Sequence, residues 1–174
     1  MTIQDRMQDF AFENVTAQLE LQNNMNEIKM HKYYIGDLCY VIEDDNWSEV
    51  CELSFDPLNE PGDMLQLEDG RQFFILNTAY GDGLFSGNDG KVYCVDSGTI
   101  GAISVDCLEG SEKFKDAVEH GLGHIAEFVY ELGEGDVQDD HGTLYFGSLA
   151  IYTAGAPDDD DEYDVEDEDE YDDA

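Results

Sequence analysis

Three aspartates lie beside glycine in segments that read as turns, and together they suggest a cation site: Asp37, Asp82 and Asp96. A divalent cation needs hard oxygen ligands, which three convergent carboxylates would supply. The alternative is that each aspartate caps its own turn through a bond to the backbone, and the sequence favours this reading. Residues 136–140 lack the glycine and the terminal glutamate of an EF-hand loop, so no metal is expected.

Two side chains have the chemistry of nucleophiles, Cys39 and Ser97. A reactive thiolate needs a basic neighbourhood, and this chain is strongly acidic, so Cys39 is expected to be a small buried residue. A nucleophile elbow has the pattern G-x-S-x-G before a helix, whereas Val95 occupies the first glycine position here. The sequence therefore predicts no enzyme.

His120 and His124 stand four residues apart, a spacing that places two metal ligands on one helix face. Gly121 and Gly123 lie between them and should end the helix, so both histidines are expected in a loop or at the surface. The segment 121–128 lacks the spacing and the lysine of a phosphate-binding loop. No cofactor is expected.

Charge is the most unusual property of the chain, since 43 acidic residues face seven basic ones for a net charge of −36. Residues 158–174 contain 13 acids and no base, and residues 1–157 still carry 30 acids and seven bases. Phosphates would be repelled by this charge, which argues against direct binding to nucleic acid or an anionic membrane. A strongly basic protein surface is the partner that the charge favours.

The C-terminal segment approaches the charge density of a nucleic acid. Its 17 residues span about 60 Å when extended, at roughly 3.5 Å each, so one charge falls every ~4.6 Å, against ~3.4 Å for one DNA strand. A passive solubilising role is the alternative. The partner-binding residues predicted from this charge are Glu134, Asp136, Asp139, Asp140, Asp158, Asp159, Asp160, Asp161, Glu162, Asp164, Glu166, Asp167, Glu168, Asp169, Glu170, Asp172 and Asp173.

The domain organisation follows from composition. Residues 1–30 are predicted to form an arm or short helix, because Ile3, Met7, Phe10 and Val15 stand near helical spacing. Residues 31–156 should form a β-rich globular domain, and residues 157–174 a disordered acidic tail. Four cysteines without a CxxC pair, no apolar leader and no long apolar run predict a cytoplasmic protein with reduced thiols.

The expected fold is mainly β, a curved antiparallel sheet or small barrel with two or three short helices. Strands are predicted over 32–42 with a kink at Gly36-Asp37, over 92–95 and 99–105, and over 143–153. A hairpin joins 64–67 to 72–76, because Asp-Gly between apolar runs favours a tight turn. Helices are predicted over 46–53, with Asn46 as N-cap, and over 111–120, while 133–142 should form an acidic loop.

Three segments form a recognisable set: Gly36-Asp37-Leu38-Cys39-Tyr40-Val41, Tyr80-Gly81-Asp82-Gly83 and Val95-Asp96-Ser97-Gly98. The set resembles a loosely defined group of small uncharacterised phage and bacterial proteins, over about residues 32–106. The resemblance implies a compact β-rich fold and a phage origin. It implies no activity.

The favoured function is that of a nucleic-acid mimic, which would block the basic groove of a host protein such as a defence nuclease. A module binding a divalent cation or small ligand through the three aspartate turns is the second hypothesis. A structural or assembly protein of a virion is the third.

Overall fold

The computed structural model describes residues 30–129 and 131–155. The arm predicted over 1–30 lies outside these residues except for Met30, and so does the tail predicted over 157–174.

The described residues fold into two antiparallel sheets of five strands each. Sheet A has the order β2-β3-β6-β1-β7, and sheet B has the order β5-β4-β10-β9-β8. The strands are β1 His31–Gly36, β2 Leu65–Gln66, β3 Gln72–Asn77, β4 Gly83–Gly87, β5 Val92–Val95, β6 Thr99–Ser104, β7 Gly123–Phe128, β8 Val137–Asp140, β9 Thr143–Phe146 and β10 Leu149–Tyr152.

Two helices cover the face of sheet A that points away from sheet B. Helix α1 spans Asp44–Phe55 and helix α2 spans Glu112–Glu119. Val50 of α1 and Ala117 of α2 pack into one buried cluster with residues of sheet A such as Phe73. Short 3₁₀ turns at Leu38–Tyr40 and Val105–Leu108 complete this layer.

Alternating strand residues supply a second core between the two sheets. In β1, Tyr33 and Ile35 face sheet B while Tyr34 faces the helices, as a strand buried on both sides requires. Sheet A is therefore the middle layer of three, and its strands β3, β6 and β1 are buried over most of their length.

The prediction of a mainly β fold is confirmed, and the architecture is more specific than the sequence indicated. The two sheets do not close into a barrel. On one side His124 of β7 reaches sheet B, where its Nε2 lies 2.7 Å from the carbonyl oxygen of Val92. On the other side, between β3 and β8, the sandwich opens into a groove lined by residues of both strands.

Several predicted helices and strands are present in the structure, although some begin or end at other residues than predicted. The hairpin of β2 and β3 is confirmed, and so is α2, which Ser111 caps by accepting a bond from the amide of Phe114 at 3.2 Å. The strands at 92–95 and 99–105 are β5 and β6, but they belong to different sheets. The prediction of Asn46 as N-cap is wrong, because α1 starts at Asp44 with Glu43 as its N-cap. Asn46 lies inside the helix, where its side chain accepts a bond from Arg71 at 3.1 Å.

The other corrections concern three turns. The strand predicted over 32–42 ends at Gly36, because the Asp37 side chain caps the 3₁₀ turn that follows. The strand predicted over 143–153 is the hairpin of β9 and β10, turned at Gly147 with φ 58°. The acidic loop predicted over 133–142 contains β8, which joins β9 through His141 and Gly142, both with positive φ, as type I′ turns require.

Candidate functional site

The carboxylate of Asp37 is the most constrained polar group in the described structure. The residue is fully buried. One oxygen, Oδ1, accepts bonds from the Cys39 amide at 3.0 Å and from the Ser97 hydroxyl at 2.8 Å. The other, Oδ2, accepts from the amides of Asp96 and Ser97 at 2.8 and 2.7 Å. A buried carboxylate with this many donors is satisfied within the chain.

The three sequence motifs meet at this position, because Asp37 holds the turn 95–98 and that turn contacts the segment 80–83. Thr78 connects the two turns, since its hydroxyl donates to the carbonyl oxygens of Gly81, at 2.5 Å, and of Gly98, at 3.2 Å. The Cα of Gly81 lies 3.5 Å from the position that a Cβ on Gly98 would take. The motifs are thus parts of one structural junction.

The predicted cation site is not supported by this geometry. Both oxygens of Asp37 are occupied by donors of the chain, and Asp82 is exposed on its turn. Within residues 30–129 and 131–155, no group of three or more His, Cys, Asp or Glu side chains is arranged to hold a metal ion.

The candidate nucleophiles also belong to the junction. Burial raises the pKa of the Cys39 thiol, and its hydrogen bond with Asp37 raises that pKa further, which keeps the thiol neutral. The Ser97 hydroxyl bonds to Asp37 and lies 2.7 Å from the Thr99 hydroxyl. Tyr40 and Cys94 meet beside it, with the Tyr40 hydroxyl 3.5 Å from the sulfur. This bonding stabilises the turns.

The two histidines that stand four residues apart, His120 and His124, do not share a site. His120 caps α2, and its Nδ1 lies 2.8 Å from the carbonyl oxygen of Asp116. His124 bonds to Val92 and packs edge-on against Tyr93, with ring centroids 5.0 Å apart. Each ring is therefore held by its own neighbours.

The four acids predicted to bind a partner from the loop are all exposed. Asp136 and Asp139 also cap turns, accepting bonds from the amides of Gly133 and Gly142 at 3.0 and 2.7 Å. Asp140 lies 2.7 Å from His141 and raises the pKa of that histidine. Glu134 completes the set, whereas the 13 predicted tail acids lie outside the described residues.

Every lysine and arginine that the structure describes is paired with an acid. The 25 described acids outnumber these five bases, so the surface keeps a large excess of negative charge. Hydrogen bonds from Lys113 and Arg71 lower the pKa values of Asp44 and Asp69. The pKa of Glu43 is lowered by its own backbone N–H and then by Arg71. Burial opposes the lowering of the pKa at Asp89, where bonds from the Lys91 backbone N–H and the Tyr93 hydroxyl, together with nearby positive charge, outweigh it. The pairs are Lys32–Glu127, Arg71–Glu43, Arg71–Asp69, Lys91–Asp89, Lys113–Asp44 and Lys115–Glu112.

The helix layer carries two rows of carboxylates that the sequence reasoning missed. We call them the helix-layer acids: Asp45, Glu49 and Glu52 on α1 with Asp56 as its C-cap, and Glu112, Asp116 and Glu119 on α2. The α1 row spans 11 residues at about 1.5 Å each, so one carboxylate falls every ~5.5 Å along the axis. The signal was present in the sequence as acids at i, i+4, i+7 and i+11 on the face opposite the apolar residues.

Several of the helix-layer acids oppose the stability of their own helices. Neither helix has a basic residue in its last turn, and Glu52 and Glu119 lie near the negative ends of the two helix dipoles. Like charges at i and i+4, such as Asp45 and Glu49, repel each other as well. Helix stability therefore accounts for Asp45 and Glu112 in the first turns but not for Glu52 and Glu119.

Comparison of the chain with protein-family models, with characterised proteins and with solved structures found no match. Among the described residues, no helix is long and apolar enough to cross a membrane.

Proposed function

We propose that this protein is an acidic mimic of nucleic acid, which binds the basic nucleic-acid-binding surface of another protein and blocks it. The observation that carries the proposal is the pairing of every described lysine and arginine with an acid, which leaves a surface of excess carboxylates. A cationic groove would be attracted to this surface, and the attraction would speed association at low salt.

The helix-layer acids and the C-terminal acids are the two binding elements in this proposal. Both space their charges at intervals near those of a phosphate backbone, about 5.5 Å on α1 and about 4.6 Å on an extended tail, against ~3.4 Å for one DNA strand. The resemblance to small phage proteins suggests a defence nuclease of the host as the target. The hypothesis of a ligand module is less favoured, because the Asp37 carboxylate is used up by donors of the chain.

The experiment is capture of proteins from a lysate on the immobilised full-length chain, followed by elution in rising sodium chloride and, separately, in duplex DNA. We expect the retained protein to be a basic nucleic-acid-binding protein, released by moderate salt and displaced by DNA. Counterion release makes such binding fall steeply as salt increases. Retention that is equal at low and high salt, or insensitive to DNA, would contradict the proposal.

Two variants test whether charge, rather than side-chain order, attracts the partner. Changing Glu49, Glu52 and Glu119 to Gln removes three carboxylates from the helix layer while nearly preserving side-chain size. The tail control keeps all 13 acids of residues 158–174 but reverses their order. We expect the Gln variant to bind more weakly and the reversed tail to bind as well as the native one, because charge density rather than side-chain order attracts the partner.

A further inference from the structure

The sandwich has an open mouth between β3 of sheet A and β8 of sheet B. Two adjoining concavities of about 410 and 560 Å³ meet there and share five lining residues. We call their union the mouth groove. The shared residues are Met64, Gln72, Phe74, Glu131 and Leu132.

The floor of the mouth groove is the inter-sheet core itself. Phe74 and Leu132 belong to the buried cluster between the sheets. On the rim, Met64 is 53% exposed and Met30 is 44% exposed. Phe74 and Leu132 are themselves nearly buried, so the apolar surface that the groove leaves exposed is that of the two methionines, and covering it would extend the core outward.

The chain itself brings a candidate cover to this place. Met30, the first described residue, lines the groove, and 29 residues precede it. Within them Ile3, Met7 and Phe10 stand at i, i+4 and i+7, the spacing with which a helix inserts one apolar face into a groove. The 20 residues from Phe10 to Met30 reach up to about 65 Å when extended. A body of this size has a radius of gyration near 14 Å, so the segment can return to the groove.

We propose that the mouth groove is the docking site of the chain's own N-terminal segment, residues 1–29, with Ile3, Met7 and Phe10 as its anchoring side chains. The inference is independent of the proposed function. The segment carries five acids and two bases, and acids such as Asp63, Asp106 and Glu134 line the groove. Apolar contact must therefore drive the docking against a weak repulsion, and added salt should strengthen it. A basic partner in the same groove would show the opposite dependence.

The reactivity of the Cys107 thiol can report whether the mouth groove is covered, without any binding partner. Cys107 is an exposed free thiol that lines the mouth groove. Burial raises the pKa of Cys39 and of Cys51, so these two thiols react slowly at neutral pH. The rate of N-ethylmaleimide addition at Cys107 in the full-length protein, followed by peptide mass spectrometry, measures whether the groove is covered.

The test compares three full-length proteins. In the variant Ile3→Asp/Met7→Asp/Phe10→Asp, we expect Cys107 to react at least ~10-fold faster than in the native chain, because the apolar anchors are lost. The matched control Gln4→Asp/Gln8→Asp/Thr16→Asp adds the same charge away from the anchoring face and should react within about twofold of the native chain. Added sodium chloride should slow the reaction in the native chain.

A second pair of variants changes the groove instead of the segment. Met64→Asp should remove the hydrogen-exchange protection of amides in residues 1–29, whereas Leu58→Asp, at a side chain 87% exposed and outside the groove, should leave it unchanged. Equal Cys107 rates in all three proteins would overturn the proposal. A native rate that falls with protein concentration would also overturn it, since a second copy would then be the cover.

Discussion

At the scale of single residues, Asp37 shows how a polar side chain can organise a fold from inside. Its carboxylate joins the end of β1 to the crossover between β5 and β6, and it therefore links sheet A to sheet B. Among the described residues, no buried side-chain nitrogen or oxygen lacks a hydrogen-bond partner. The bonds at Asp37 offset the desolvation of its carboxylate.

Replacement of Asp37 by Asn should destabilise the protein by about 3 kcal/mol, because an amide nitrogen would then face backbone N–H donors that have no other acceptor. The exposed Asp82→Asn is the matched control, which removes the same charge from the neighbouring turn and should change stability little. Urea unfolding of both variants measures the difference. A stable Asp37→Asn protein would mean that the junction does not depend on the carboxylate.

The sequence predicted the type of this residue's role but not its partner. Asp beside Gly indicated turn capping, and Asp37 does cap the 3₁₀ turn through the Cys39 amide. Its bonds to Asp96 and Ser97 span about 60 positions of the chain. Local patterns carry no information on such a pairing, because only the packing of two sheets brings the turns together.

At the scale of elements, strong local signals gave the correct strands and helices where one pattern dominated. The Asp-Gly turn between apolar runs located the hairpin of β2 and β3, and Ser111 with Gly121 bounded α2. The strand β8 was missed because its three exposed positions are polar, two of them aspartates, and only Val137 is buried. The turn at His141 was missed because non-glycine residues at positive φ are uncommon and the pair His141-Gly142 is not the usual Asn-Gly or Asp-Gly signal.

For the helix-layer acids, the position of an acid along its helix decides whether removing its charge raises or lowers the stability of the protein. Glu52→Gln or Glu119→Gln, near helix C-termini, should each stabilise the protein by about 0.3–1 kcal/mol, whereas Asp45→Asn in the first turn of α1 should destabilise it. All three remove one negative charge. Thermal unfolding at low ionic strength measures the shifts. The same Gln variants should bind the captured partner more weakly, so a variant that gains stability and keeps full binding would remove α1 and α2 from the interface.

At the scale of the whole molecule, a net charge of −36 acts on the fold as well as on partners. The three-layer body holds together because its two cores are apolar and its charged side chains, apart from the buried Asp37, lie at the surface. Composition predicted this separation, since the apolar fraction of 41% suffices for a core despite the charge. The arrangement in two sheets depends on pairings such as β1 with β6 and β4 with β10, which are distant in the chain and leave no local pattern.

Salt should stabilise the folded protein while it weakens partner binding. Packed carboxylates repel one another more strongly in the compact state than in the unfolded chain, so screening favours folding. The Debye length falls from about 30 Å at 0.01 M to about 8 Å at 0.15 M, so most of the rise in Tm should occur below a few tenths molar sodium chloride. A rise that continues linearly into molar salt would instead indicate exclusion of the salt from the surface.

A chain lacking residues 158–174 should show a smaller rise in Tm, since it loses 13 of the repelling charges. A Tm that is independent of salt in the full-length chain would mean that its charges are too far apart to repel, and the spacing on which the mimicry depends would then be wrong.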